Sequence, residues 1–455
     1  MRKTNSLINN LDWPLLIGFL TLICFGLMTI YSVAFNEESP SIFSFSEKYG
    51  KQIMWIFLSL FFGGIVFLID SDVYKKFALP IYLVTLGLLV VVLFMPPING
   101  ARAWLGVGSM GIQPAEFAKI TTALLLAKYV SDINLKLLSS YNVLIALIII
   151  VIPMGLILLQ PDAGTFVVFT AFFFVLYREG LTFDPFILKF INLLPKVKYK
   201  QTWIGSHFIP ILFVLVFLSI LTILLGHKNL GIIPGLPLYG SFGIIVSLFL
   251  ISVAGILFIQ KFGTKREKVK IRLIIVLSFI VGSASSYFVE YSFVHLADHQ
   301  KDRIELFLGL KEDPNGKDYN RNRAMAAVGS GGFSGKGYKN ASVSSVKTNH
   351  VPESETDFIF CPFAEEWGFL GGAVLLMIYL FIIVRILVIA ERQRSSFNRI
   401  YAYSVGMFFF YHFAINIGMN IGFAPVIGIP LPFFSYGGSS MMSFSIMVFI
   451  LLKLD

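Results

Sequence analysis

Long apolar runs recur along this chain, separated by short polar breaks. A helix that spans a bilayer needs about 20 mostly apolar residues. Twelve stretches meet or approach that length: 13–34, 52–70, 77–95, 115–132, 142–159, 163–178, 205–226, 240–260, 271–292, 367–390, 401–424 and 434–453. The fourth and sixth are the shortest. Residues 181–195 are too short and too interrupted to span, and they read as an interfacial or re-entrant segment. Met1–Asn10 is followed by an apolar stretch without a small-residue cleavage site, so that stretch is expected to stay as the first helix. The fold class that follows is an all-α polytopic membrane protein with about 12 transmembrane helices.

Charge placement orients this pattern. Lys and Arg gather in cytoplasmic loops. With the N-terminus inside and strict alternation, inner segments carry clusters such as Lys75-Lys76, Lys196 to Lys200, Lys261 to Arg272 and Arg392 to Arg399. The short outer loops carry only Lys48, Lys51, Arg102 and Lys228. The bias is about five to one, and one helix more or less midway would spoil it. Both termini are therefore expected in the cytoplasm, and the large polar loop 293–366 outside. A long polar loop in an otherwise tight protein is usually functional.

Composition agrees. The chain is 56% hydrophobic and only 14% charged, against about 25% charged in soluble proteins. The net charge of +10 does not point to nucleic acid, because the basic residues sit in the short loops that topology explains. The two cysteines, Cys24 and Cys361, are far apart and lack metal-ligand spacing, which argues against a disulfide framework or a zinc site.

Several short motifs carry candidate chemistry. Gly106 to Gly111 fits G-x-G-x-x-G, but no strand precedes it and the loop faces outward, so a plain turn is expected. Gly329 to Gly337 resembles a phosphate loop but fails the full pattern; it is either a flexible connector or a turn close to a polar headgroup. Glu116 and Lys119 are three apart on a helix and can pair. They either join two helices or line a polar substrate cavity. Asp162, in Gln160-Pro161-Asp162-Ala163-Gly164, is either an N-cap or a group that helps hold a cation or an acceptor sugar. Asp313 sits in the turn-like run Lys311 to Gly316, where Asp298, Asp302, Asp318, Glu353, Glu355 and Asp357 compete with it as acids of the same loop. Gly422 to Ser440 is rich in Gly and Pro. Irregular backbone at membrane depth needs protein or a cavity to cover it, so this run is expected to form the rim of a cavity.

Taken in order, these motifs resemble the SEDS family of shape, elongation, division and sporulation proteins. The resemblance runs from Asp12-Trp13-Pro14 through Asn99 to Trp104, Gln113 to Lys119 and Gln160 to Thr165. It continues through His299-Gln300 with Arg303-Ile304, Asp313-Pro314, Gly329 to Gly332, Val351 to Phe360, and Ala364-Glu365-Glu366, and closes at Ser435-Tyr436-Gly437-Gly438. Val426 to Pro432 resembles the elongation branch more than the division branch. The resemblance implies a peptidoglycan glycosyltransferase that polymerises lipid II outside the membrane. It implies a class B penicillin-binding protein as partner, and Asp313 as the catalytic acid of the outer loop. Two departures stand out. The family's Tyr-Gln-x-x-Gln-Ser reads Tyr319-Asn320-Arg321-Asn322-Arg323-Ala324 here, so no role passes to Arg323 or Ala324. Family members usually have ten spans, which makes 205–260 an inserted helix pair within a single membrane domain 1–455.

Glycan growth needs a base for the attacking hydroxyl and positive charge for the departing pyrophosphate. Asp313 is the expected base. Arg102, Lys119 and Arg303 are the expected anion-binding residues, with Glu116 and Asp162 beside the substrate. A divalent cation, Mg or Mn, is expected at the pyrophosphate, without a readable ligand set; no organic cofactor is implied. The elongation machinery is the expected setting. Two rival readings stay open, a lipid II flippase and a non-catalytic scaffold for the crosslinking enzyme. Against a flippase, no paired internal repeat is evident.

Overall fold

The computed structural model describes residues 11–35, 41–97, 101–106, 111–133, 139–191, 201–226, 239–262, 265–295, 301, 305, 317–344 and 351–455. Among them there is no strand, only an isolated bridge between Leu105 and Ile112. The helices are α1 (Trp13–Val33), α2 (Lys48–Leu68), α3 (Ser71–Val92), α4 (Pro114–Asp132), α5 (Ser140–Leu159), α6 (Ala163–Phe169), α7 (Ala171–Arg178), α8 (Asp184–Ile191), α9 (Trp203–Ser206), α10 (Phe208–Leu225), α11 (Gly240–Phe262), α12 (Lys265–Val294), α13 (Lys317–Ser330), α14 (Phe360–Arg392), α15 (Ser396–Asn420) and α16 (Gly438–Leu454). Each of the twelve predicted stretches falls on a helix, the sixth divided at Thr170 between α6 and α7. Among the described residues nine helices are long and apolar enough to cross a membrane, with Ala163–Arg178 and Gly438–Leu454 as shorter apolar helices. The protein is a multi-pass membrane protein.

The chain forms two compact units. The first holds residues 1–181 and 314–455. Its centre is α4, which packs against α3, α5, α6, α15 and α16. Position explains its composition. A helix wrapped by other helices has no lipid face, so α4 carries Glu116 and Lys119 and still lies in the bundle. Polar pins fix its neighbours: Thr85 on α3 meets Thr121 on α4 at 2.8 Å, and the Tyr82 hydroxyl donates to Ile149 O on α5 at 2.9 Å.

One end of this unit is tied by ions. Asp12 caps α1 by accepting from Leu15 N at 3.1 Å. Its buried carboxylate also takes Arg385 Nη2 at 2.8 Å and Arg392 Nη2 at 2.9 Å, both from α14. Arg392 reaches on to Asp455, the residue after α16. Arg399 pairs with the buried Glu179 after α7 at 2.7 Å.

The second unit, residues 182–313, is a separate helical cluster in which α10 and α11 pack on α12 and on each other. The stretch 205–260, expected as an inserted pair, carries α10 and α11. Glu290 on α12 accepts from Ser241 N at 2.8 Å and so caps the start of α11. Asp184 holds the chain before α9 by accepting from Thr202 N at 2.7 Å and its hydroxyl at 2.6 Å.

The polar segment 293–366 is partly helical. α13 lies inside it, and its last residues are the opening turns of α14. Hydropathy places the span start at 367 because Glu365 and Glu366 break the apolar run, whereas the helix starts at Phe360 and is interrupted at Gly368, with φ of 64°. Ala324, where the family pattern has Ser, is fully buried on α13 with Ala327, Val351, Phe358 and Cys361. A small residue fits that cluster.

Candidate active site

The predicted site residues Arg102, Glu116, Lys119 and Asp162 lie in the first unit and are described. Asp313, Arg303 and His299 lie outside the described residues.

Asp162 caps α6. One carboxylate oxygen accepts from Thr165 N at 3.0 Å. The other accepts from the Thr165 hydroxyl at 2.8 Å and from Gln113 Nε2 at 2.7 Å. The N-cap reading is therefore realised, and Gln113 adds a tie to the start of α4. Arg102 joins the same rim: its backbone N donates to Gln160 O at 3.3 Å. The guanidinium is exposed and, among the described residues, makes a single long bond, to Leu93 O at 3.3 Å.

The Gly/Pro run between α15 and α16 closes over this rim. A Cβ at Gly164 would stand 2.7 Å from Ile427 O, so only glycine lets α6 meet the run. Gly428 turns with φ of 70°. Its absent side chain leaves the Asp357 carboxylate 3.3 Å from where a Cβ would sit. The irregular backbone is well satisfied, as burial demands. Asn416 Nδ2 donates to Asp357 O at 2.9 Å and to Ile429 O at 2.7 Å. The Ser435 hydroxyl donates to Thr356 O at 2.6 Å, and Tyr436 N donates to Glu355 O at 2.8 Å. Ile429, Leu431, Phe433 and Phe434 are buried. The run is thus a packed wall stitched to residues 355–357.

Asp357 is the electrostatic singularity of the rim. Burial pushes its carboxyl up to about 7, and the charges of Glu353 and Asp162 push the same way. Among the described residues no donor bonds its carboxylate, whereas Glu353 takes the Thr356 hydroxyl at 3.0 Å and Glu355 pairs with Lys48.

Glu116 and Lys119 sit beneath. Lys119 is fully buried; its Nζ donates to Glu116 Oε1 at 3.0 Å and lies 2.9 Å from Oε2, which takes no hydrogen bond among the described residues. Its second hydrogen-bond partner is His412 Nε2 at 3.0 Å. An ammonium only donates, so Nε2 accepts, and His412 Nδ1–H donates to Pro430 O at 2.9 Å. The chain of bonds runs from α4 through α15 to the Gly/Pro wall. This is the helix-joining alternative, with the wall as an added partner.

The glycine-rich run after α13 has a use that neither sequence reading named. A Cβ at Gly331 would stand 2.2 Å from Ala364 O, and one at Gly335 would stand 2.1 Å from Glu366 O. Lys336 N and Gly337 N donate to Glu365 O and Glu366 O, both at 3.0 Å. The glycines let two backbones touch where α14 is broken at Gly368.

This architecture can be set against known proteins. The sequence profile of the cell cycle protein family FtsW/RodA/SpoVE matches residues 13–199 and 207–455. The chain belongs to this family. It is 30% identical over 467 residues to the peptidoglycan glycosyltransferase RodA of Treponema pallidum (strain Nichols), covering 98% of each chain. It is 28% identical over 435 residues to the peptidoglycan glycosyltransferase MrdB of Escherichia coli (strain K12), covering 95% of this chain and 90% of that one. A solved chain from a peptidoglycan synthase complex coordinating polymerization and crosslinking shares the fold, with a TM-score of 0.64 at 21% identity and 97% of each chain covered.

Within this FtsW/RodA/SpoVE fold, the sequence reading missed His412, Asn416 and Asn420. The signal was present: they recur every four residues, on one face of an apolar span. Two apolar hollows, of about 580 and 380 Å³, share Val374 and Ile378 along α1 and α14. Neither is lined by Asp162 or Asp357.

Proposed function

We propose that this membrane protein polymerises lipid II into glycan strands during cell elongation, with Asp313 as general base. The chain is a peptidoglycan glycosyltransferase. The observation that carries this is family membership across nearly the whole chain, with relatives of that name matched end to end. The charge bias supports cytoplasmic termini and an outer site.

In the reaction, a sugar hydroxyl of one lipid-linked chain attacks the anomeric carbon of another. The new glycosidic C–O bond forms as the bond to the lipid pyrophosphate breaks. The proton goes to Asp313, the pyrophosphate leaves with the electron pair, and one displacement inverts the centre. Arg102, with its guanidinium almost unbonded at the rim, is suited to the pyrophosphate. Arg303 is a second cation for it. Lys119 is enclosed and spent on Glu116 and His412, so it and Glu116 hold the wall from below. Asp162 fixes the rim. Among the described residues no three ligating side chains gather for a metal, and the Asp162 oxygens are already bonded. A Mg or Mn ion at the pyrophosphate would draw ligands from the substrate and water as well as from the protein, and no step is routed through it. A class B penicillin-binding protein as partner fits the synthase complex whose chain shares the fold.

The test is a glycan-ladder assay with purified partner and lipid II. Wild type should build ladders, and Asp313→Asn, equally monodisperse and equally heat-stable, should build none. A wild type without ladders would remove the polymerase reading; full activity in the variant would remove only Asp313.

A further inference from the structure

The acids around the rim are matched to donors, with one exception. Asp162 is bonded by Gln113 and Thr165, Glu353 by Thr356, and Glu355 by Lys48. Asp357 has no donor among the described residues, yet it is held firmly. Its backbone oxygen accepts from Asn416 Nδ2 at 2.9 Å and Asn420 Nδ2 at 3.3 Å, two amides one turn apart on α15. Its neighbours Phe358 and Ile359 are buried. Across from it stands Gly428, where a Cβ would come 3.3 Å from Asp357 Oδ2. A half-buried carboxylate, fixed at its backbone and without a donor among the described residues, must draw its donors from water or from a ligand that displaces it.

We infer that Asp357 is a substrate-contacting residue, whose carboxylate accepts hydrogen bonds from hydroxyl or amide N–H groups of the lipid-linked saccharide. The inference rests on the polymerase reading above. Saccharides are rich in such donors, and a charged acceptor bonds them about twice as strongly as a neutral one. An anionic phosphate is the wrong ligand here, because Glu353 and Asp162 already surround the group with negative charge. The charged groups facing Asp357 are Glu353 from its own loop and Asp162 from the start of α6. α15 and the Gly/Pro wall present Asn416, Asn420 and Gly428, which carry no charge.

The sign of the pH effect follows. The ionised form binds, and ionisation is complete only above about 7. Turnover at low lipid II should therefore rise with pH through about 7. Bound donors favour the carboxylate, so the same limb should move to lower pH at saturating lipid II.

The experiment measures ladder formation by wild type and Asp357→Asn, with purified partner, across lipid II concentrations and pH. The variant should raise KM about tenfold or more, change kcat little, and flatten the limb in kcat/KM. Its melting temperature at pH 8 should equal or exceed that of wild type, because the substitution removes charge repulsion. A variant with unchanged KM and an unchanged limb overturns the inference. A second measurement needs no variant. Carbodiimide labelling of Asp357 in the wild type should be suppressed by the soluble disaccharide-peptide, and equal labelling with and without it also overturns the inference. A wild type that builds no ladder would instead strike at the polymerase reading.

Discussion

Glu365 anchors the segment after α13, and Glu365→Gln tests how much one buried carboxylate holds. The residue is fully buried at the start of α14. It accepts from Lys336 Nζ at 2.6 Å, Ser342 N at 2.9 Å and the Ser342 hydroxyl at 3.2 Å. It also accepts from Val343 N at 2.9 Å, Ser344 N at 2.9 Å and the Ser344 hydroxyl at 2.5 Å. Every neighbour is a donor. Glutamine has the same shape, but its NH2 must face some of those donors whichever way it turns. Removing one partner of a buried pair costs about 3–5 kcal/mol, and each orphaned buried N–H adds about 1–3. Lys336 is partly exposed and recovers some hydration, so the lower figure, about 3 kcal/mol, is the better expectation. Detachment of 331–344 sets the ceiling, since the helices need not melt with it. Hydrogen exchange in nanodiscs reads this directly. Amides of Ser342, Val343 and Ser344 should exchange at least about a hundredfold faster, at 1.4 kcal/mol per factor of ten. Amides inside α15 should not change. A change of less than about tenfold at 342–344 would refute the anchoring argument, and equal acceleration in α15 would mean global destabilisation instead.

Gly335→Ala should cost more than Gly337→Ala, although both have positive φ, 81° and 95°. The first Cβ meets Glu366 O at 2.1 Å, a backbone atom, while the second meets the Asn340 side-chain amide at 3.1 Å. Expected losses are about 3 kcal/mol or more against about 1, read as melting shifts in detergent; equal shifts would contradict the close-packing argument. Lys119→Met strands the buried Glu116 carboxylate and should cost about 3–5 kcal/mol. Adding Glu116→Gln should restore part of the loss, whereas additive losses in the double-variant cycle would show that the pair is not coupled.

Spans were legible because bilayer chemistry acts on every residue of a helix at once. Twelve apolar stretches gave twelve matches, and their errors lie at ends where charge enters a helix, as at Phe360 and Glu365. α4 was marked as a short span, and its position explains why: a central helix answers to its neighbours, not to lipid. The motif residues were legible as chemistry but not as geometry. Asp162 was open between cap and ligand until Thr165 and Gln113 were placed beside it. Lys119 is readable in the sequence as cavity lining or as an ion pair, and only the fold brings His412, some 290 positions away, to 3.0 Å from its Nζ. No local pattern carries a partner at that separation.

The same contrast says where ligand chemistry should be sought. Apolar periodicity reports what a segment buries, and turn residues report how it bends; neither reports whether a buried acid has been given donors. In this fold, Glu365 near the broken start of α14 is supplied at both oxygens, Glu366 at one only, and Asp162 at the rim at both. Among the described residues Glu365 has six donor contacts and Asp357 has none, and the two stand eight positions apart in sequence. Both are tied into their surroundings by hydrogen bonds, Asp357 through its backbone oxygen and Glu365 through its carboxylate. A folded protein keeps an unmatched carboxylate where something outside the chain completes it. On that argument the rim formed by α6, Gly428 and residues 353–357 is where the saccharide should seat, with Arg102 on the same rim for its pyrophosphate.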